Sequence, residues 1–283
     1  MKLSFTTLAC PQWDLDQIIA AAKQYGYDAF DFRHYRGSTD LASMPEFTTG
    51  LAATAKKIAT TGLKVSGVSS GIDVFSPDPA KREKAVHDAA IYARITAGLG
   101  ATVLRVFGGG LGKTPRAEAL RVVGATLRAM ADAASRQGVT IAVETHDDWC
   151  RGAEIMEMLN TAQAGRAVGV LWDALNALTD RNEQPDETWR HIQAHLVGTH
   201  WKDSATLPPA KPRYVLPGEG RAPLKRYFEL VAGRGYDGYY TFEWEKAWHP
   251  ELADADVALP AFVQCMRRLE QEKVIVSPQV NRS

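Results

Sequence analysis

Cysteine is scarce in this chain. Cys10, Cys150 and Cys265 stand too far apart for a disulfide framework or a zinc-knuckle spacing. A reducing, cytoplasmic setting is the expectation. Charge of either sign is not in excess: 33 Lys and Arg face 33 Asp and Glu, so the basic footprint of a nucleic-acid binder is missing. No apolar run reaches the roughly 18 residues that a membrane span needs. The apolar stretch at the N-terminus is too short for a signal peptide and reads as a first strand. No dinucleotide-binding glycine fingerprint follows it, which argues against a Rossmann domain. What remains is ordinary globular material, 45% hydrophobic and 23% charged over 283 residues. That is enough for one large α/β barrel or two smaller domains.

Strand-like and helix-like pieces alternate from end to end. Apolar, β-branched segments at 3–9, 28–33, 65–70, 101–107, 140–145, 168–173, 196–202 and 238–244 predict strands, several of them buried on both faces. Helical spacing predicts helices near 14–25, 45–61, 79–98, 115–137, 151–163, 186–195, 223–234 and 254–272. Gly62, Gly100 and Gly138 sit where three of these helices should stop. Eight strands and eight helices in alternation favour a single (β/α)8 TIM barrel of the α/β class over an open sheet. Gly-Tyr-Asp occurs at 26–28 and again at 235–237, each time before a strand, as a repeated βα unit would give. No linker divides the chain. Residues 1–272 are therefore expected to form one barrel domain, and 273–283 a loose C-terminal tail.

Four predicted strands end in a side chain that ligates metals. They are Val-Glu-Thr-His (143–146), Leu-Trp-Asp (171–173), Gly-Thr-His-Trp-Lys-Asp (198–203) and Thr-Phe-Glu-Trp-Glu (241–245). The ligand candidates Glu144, Asp173, His200 and Glu243 are spaced by 29, 27 and 43 residues, roughly one strand–helix unit each. In a parallel barrel such strand ends converge at one mouth. Any of these residues alone is more simply a solvated charge or a helix cap, and Asp173 could cap a following turn. Together they suit one divalent ion such as Mn, Mg, Co or Zn. Glu245 reads as a solvent-facing charge or the partner of a basic neighbour.

With these residues in view, the chain resembles the sugar phosphate isomerase/epimerase family, built on the xylose isomerase-like TIM barrel. Its relatives include ketose 3-epimerases, inosose dehydratases and isomerases, and hydroxypyruvate isomerases. The resemblance covers most of the chain. It rests on Glu144, Asp173, His200 in Thr-His-Trp-Lys-Asp, Leu-Pro-Gly-Glu-Gly-Arg (216–221), and Gly-Tyr-Asp-Gly (235–238) followed by Glu243. It implies one divalent metal on the four residues, with Glu144 and Glu243 also acting as the acid–base pair. It further implies isomerisation or epimerisation of a small keto-sugar or polyol-derived ketone through a metal-stabilised enediolate. A dehydratase on the same scaffold shares that intermediate. Family members often form dimers or tetramers. Two positions depart from the ketose 3-epimerase pattern: Cys150 replaces a substrate-binding Glu, and Asn176 replaces a His.

Other candidates are less specific. Arg105, His146, Trp13, Lys202 and Arg221 are candidates to contact substrate, while Lys202 and Asp203 could instead orient His200. Asp31 and Arg33 share a strand face and line the mouth or pair inside the barrel. Trp13, Trp149, Trp172, Trp201, Trp244 and Trp248 lie at or just past strand ends, where aromatic walls suit sugar-like ligands; core packing explains some equally well. The segment from Phe107 to Thr114 imitates a phosphate-binding P-loop but has Phe107 where that motif needs Gly, so a flexible loop is expected. A zinc-cluster DNA hydrolase on a similar barrel would need extra His ligands, which the ends of strands three and four do not offer. The expected partner is a small sugar or polyol, without nucleic acid or membrane.

Overall fold

A computed structural model describes residues 1–276. Eight strands, β1 (Lys2–Phe5), β2 (Ala29–Phe32), β3 (Lys64–Asp73), β4 (Val103–Phe107), β5 (Thr140–Glu144), β6 (Val168–Asp173), β7 (Leu196–Trp201) and β10 (Tyr239–Phe242), form one parallel sheet. Its order, β1-β10-β7-β6-β5-β4-β3-β2, is that of a nearly closed barrel. The remaining seam is held by a bridge between Thr6 and Asp31 and by the Asp28 amide, which donates to the Leu3 carbonyl at 2.9 Å. A short antiparallel hairpin, β8 (Asp203–Ser204) with β9 (Tyr214–Val215), rises after β7. The expected (β/α)8 barrel is therefore the fold.

Helices α1 (Leu15–Tyr25), α2 (Leu51–Ala59), α3 (Pro79–Gly98), α4 (Arg116–Ser135), α5 (Gly152–Ala162), α6 (Asn176–Arg181), α7 (Pro185–Ile192), α8 (Leu224–Gly233) and α9 (Ala255–Val276) connect the strands. None of the described helices is long and apolar enough to cross a membrane. The first four residues of the expected tail, 273–276, continue α9 instead, and the rest, 277–283, lie outside the described residues. Two local expectations need correction. The helix predicted over 45–61 is split into a 3-10 turn at Pro45–Phe47 and α2, because Thr48 leaves helical geometry and the Gly50 amide folds back onto the Pro45 carbonyl at 2.7 Å. The helix α6 was not predicted at all.

Strand alternation sorts the side chains into two environments. Outward positions carry the apolar core between sheet and helices: Leu3, Phe5, Phe30, Val106, Val143 and Phe242 are all fully buried. Inward positions differ in kind, with Ser4 bonded to Ser66 across the barrel at 2.6 Å and Asp31, Arg105, Glu144 and His200 all buried. The polar interior thus depends on the apolar outer layer for its rigidity.

Phe242 illustrates that layer. It is fully buried and stacks on Phe262 of α9 at 4.7 Å between ring centres. Phe242→Ala removes this packing one residue before Glu243 and should cost about 3–5 kcal/mol. Urea unfolding measures it; a loss below about 1 kcal/mol would show that the last helix does not depend on this contact.

Candidate metal centre

The four ligand candidates meet at the C-terminal mouth. Glu144 ends β5, Asp173 ends β6, His200 lies in β7, and Glu243 follows β10. Strand register makes them neighbours: Asp173 pairs with His200, and His200 with Thr241, two residues before Glu243. One potential ligand atom from each lies within 4.8 Å of the others, and all four residues are buried. Donors across a single ion with bonds of 2.0–2.3 Å are about 4–4.6 Å apart, so the spacing fits one ion after small adjustment. Among the described residues, no other such cluster of His, Cys, Asp and Glu is found.

The donor chemistry fits as well. His200 Nε2 is buried without a hydrogen-bond partner, and Glu144 Oε2 and Asp173 Oδ2 are buried with only an ion-pair contact each, to Arg105 and Lys202. His200 Nδ1 lies 3.2 Å from both Glu144 Oε1 and Glu243 Oε1. Burial opposes a charge on the imidazole, but Glu243 and Glu144 outweigh it and raise its pKa. Three carboxylates and one imidazole, with no thiolate, suit a hard to borderline divalent cation. Asp31 enters the same picture from below: its unpartnered Oδ1 and His200 share a cavity of about 160 Å³ inside the barrel.

Asp173 also does what its position suggested. Its Oδ1 accepts from the amides of Leu175 and Asn176 at 2.9 and 3.0 Å, capping the turn into α6, while Oδ2 faces Lys202. Asn176 spends its side-chain amide on the Thr145 carbonyl at 3.2 Å. Cys150 is buried, with Sγ 3.9 Å from Asp180 Oδ2.

Lys202 binds the carboxylates together. Its Nζ lies 2.9 Å from Asp173 Oδ2, 2.9 Å from Glu243 Oε2 and 2.6 Å from Glu245 Oε1. Glu245 is thus the partner of a basic neighbour, the second of the two roles expected of it. Arg105 Nε forms an ion pair with Glu144 Oε2 at 3.1 Å, and its Nη1 donates to the Ser70 carbonyl at 2.8 Å. Burial would raise the pKa of both glutamates; Arg105 beside Glu144 and Lys202 beside Glu243 hold them below the ordinary range instead.

A cavity of about 240 Å³ opens above these groups. Arg33, Arg105, His146 and Lys202 line it together with Glu144 and Glu243. His146 Nδ1 lies 3.0 Å from Asp147 Oδ2, and its ring is 4.5 Å from that of Phe107. Two candidates are elsewhere. Trp13 lines a separate groove of about 570 Å³, and Arg221 is exposed on the loop after β9. Asp203 does not orient His200. Its carboxylate accepts from the amides of Gly218, Gly220 and Ala222, which shapes the Leu-Pro-Gly-Glu-Gly-Arg segment. A side chain at Gly220 would begin 2.1 Å from Asp203 Oδ1, so glycine is required there.

The aromatic wall is also smaller than expected. Trp149, Trp172, Trp201 and Trp244 are buried in the packing, and only Trp248 lines the cavity. The glycine-rich loop after β4 is pinned rather than free: Leu111 N donates to Asp148 Oδ2 at 2.7 Å, and Trp149 Nε1 to the Gly109 carbonyl at 2.8 Å.

A buried His–carboxylate cluster at the mouth of a parallel barrel defines a class of TIM barrel with a possible metal site. Within that class the chain belongs to the xylose isomerase-like TIM barrel family, whose family model matches residues 19–264. Similar solved structures include an IolI protein with a bound zinc atom (TM-score 0.80, 16% identity, covering 96% of this chain and 99% of that one). Others are an L-ribulose 3-epimerase (0.78, 17%, 99% and 99%) and the probable 3-DHS dehydratase AsbF from Bacillus anthracis (0.76, 15%, 94% and 99%). At such identities the likeness speaks for the fold alone. No curated protein matches the sequence.

The lysine gives a test of the electrostatics that is independent of any activity. Removing one partner from a buried ion pair leaves the others uncompensated, so Lys202→Met should destabilise chelator-treated protein by about 3–5 kcal/mol in urea unfolding. A change under about 1 kcal/mol would mean that the carboxylates are protonated or hydrated and do not need the lysine.

Proposed function

We propose that this protein is a divalent-metal-dependent isomerase or epimerase of a small keto-sugar or polyol-derived ketone. The observation that carries the proposal is that Glu144 and Glu243 line one cavity together, each with Oε1 3.2 Å from His200 Nδ1. One ion held by Glu144, Asp173, His200 and Glu243 would polarise a carbonyl and its neighbouring hydroxyl as a Lewis acid.

The remaining steps fall to the chain's own side chains. One glutamate takes the proton from the carbon beside the carbonyl, and the other returns a proton from the opposite side. Arg105 and Lys202 favour the ionised form of both carboxylates, which the base requires. The glutamate that returns a proton must first take one up from solvent, and the base is left protonated until it loses its proton in turn. Asp173 and His200 fix the ion. The cavity, about 240 Å³ and lined by Arg33, Arg105, Lys202 and the two glutamates, suits a small polar substrate.

Elimination is the second reading. His146 lies in the cavity wall near Glu144, where an acid for a departing hydroxide would be needed. The similar fold of a probable 3-DHS dehydratase keeps that chemistry in view.

Two experiments test the proposal. The purified protein should hold about one divalent ion per chain, and Asp173→Ala and His200→Ala should each lose most of it by elemental analysis. Full occupancy in both variants would refute the ligand set. For the proton transfer, a substrate turned over in deuterated water should gain deuterium at the carbon beside its carbonyl. Glu144→Gln or Glu243→Gln protein that retains metal should lose about a hundredfold or more in turnover. Normal turnover by metal-loaded Glu243→Gln would overturn the two-glutamate mechanism.

A further inference from the structure

Arg33 is the cation of the mouth that has nothing to pair with. It follows β2 on the same face as Asp31, and its guanidinium reaches the wall of the cavity that holds Glu144 and Glu243. Among the described residues no salt bridge includes Arg33, and its Nη1 is buried without a hydrogen-bond partner. Arg105 differs, being taken up by Glu144 and Ser70, and Lys202 by three carboxylates. Burial, and then the nearby Arg105, lower the Arg33 pKa to about 10, which still leaves it charged at neutral pH. Glu243 and Glu144 favour its charge from a distance, but no carboxylate makes a direct ion pair with this half-buried cation, so part of its desolvation cost is not offset.

The surroundings hold the guanidinium in place. Its central carbon lies 5.7 Å from the centre of the Trp248 ring, and Trp248 is 47% exposed despite its size. On another side, Gly71 leaves Nη2 and Nη1 3.6 and 3.8 Å from where a side chain would begin. Arg33 also lines a second groove, of about 730 Å³, that adjoins the cavity. Asp40 and Asp73 line that groove too, but neither comes within ion-pair distance of Arg33.

The ion pairs point the same way. Lys202 and Arg105 each lie within ion-pair distance of a carboxylate of the cluster, whereas Arg33 lines the same cavity without such a partner.

We propose that Arg33 is an anion subsite, and that the substrate is a polyhydroxy ketone bearing a carboxylate or phosphate away from the reacting carbonyl. This rests on the function proposed above and adds the substrate's charge to it. A planar guanidinium with a free edge can meet either anion through two parallel hydrogen bonds. Trp248, packed near that cation, would border the intervening carbon chain.

The test compares three probes on manganese-loaded protein by calorimetry at low ionic strength: D-fructose, 5-keto-D-gluconate and D-fructose 6-phosphate. One of the two anions should bind about tenfold or more tightly than fructose, and which one does so separates carboxylate from phosphate. In Arg33→Gln the preference should shrink to about twofold or less, and Arg33→Lys should recover part of it, because a charge without the fork keeps only part of the interaction. Metal content and melting temperature, measured alongside, ensure that the variants are folded and loaded. Equal affinity for all three probes, no measurable binding of either anion, or an undiminished preference in Arg33→Gln would overturn the subsite. Those results leave metal stoichiometry and solvent-deuterium uptake untouched, so failure of the subsite is distinguishable from failure of the function beneath it.

Discussion

Burying like charges together is the constraint on which this barrel's site depends. Glu144, Asp173 and Glu243 are each at most 5% exposed and converge at one mouth. Carboxylates so placed repel one another and lose their hydration, and only nearby positive charge makes the arrangement stable. Lys202, Arg105 and His200 supply it from within the chain. A divalent ion would supply more, and would free His200 to act as a neutral ligand. Such a site could exchange proton and lysine contacts for a metal.

The fold delivers those groups by a simple rule. Each strand sends one set of side chains outward to the helices and the other inward. Trp172, Trp201 and Trp244 are each adjacent in sequence to a ligand candidate, so they face the opposite way and anchor the strand ends from behind. Trp172 packs near Trp189 and Tyr227, and Trp201 near Tyr227 and Tyr240. The polar and aromatic halves of each pair are parts of one device: the indole fixes the backbone that aims the carboxylate or imidazole. Asp203 does similar work one layer higher, gathering three amides of the loop that follows the hairpin.

Much of this was legible in the sequence. Strands buried on both faces are recognisable as apolar runs, and the eight expected strands lie where eight are found. The four ligand candidates stood out because their spacing matched the repeat of a strand–helix unit. The alternation that turns three tryptophans outward was equally present, and it should have separated them from the cavity at once. Other features had no local signal. The pairing of Lys202 with Glu245 spans 43 residues, and the isolation of Arg33 depends on what fails to approach it in space. The break between Pro45 and Gly50 was hidden inside an otherwise helical pattern, and α6 is too short for periodicity to reveal.

The account's central claim is that Glu144, Asp173, His200 and Glu243 together hold one divalent ion, for which Lys202 substitutes as the neighbour of Asp173 and Glu243 in the metal-free site. A crystal structure of manganese-soaked protein, with anomalous diffraction recorded at the manganese edge, tests it most directly. The account predicts one anomalous peak per chain, bonded to all four side chains, with Lys202 Nζ withdrawn from Asp173 Oδ2. A peak bonded to other residues, or Lys202 still in contact with Asp173 beside an ion that lacks Asp173 as a ligand, would contradict it.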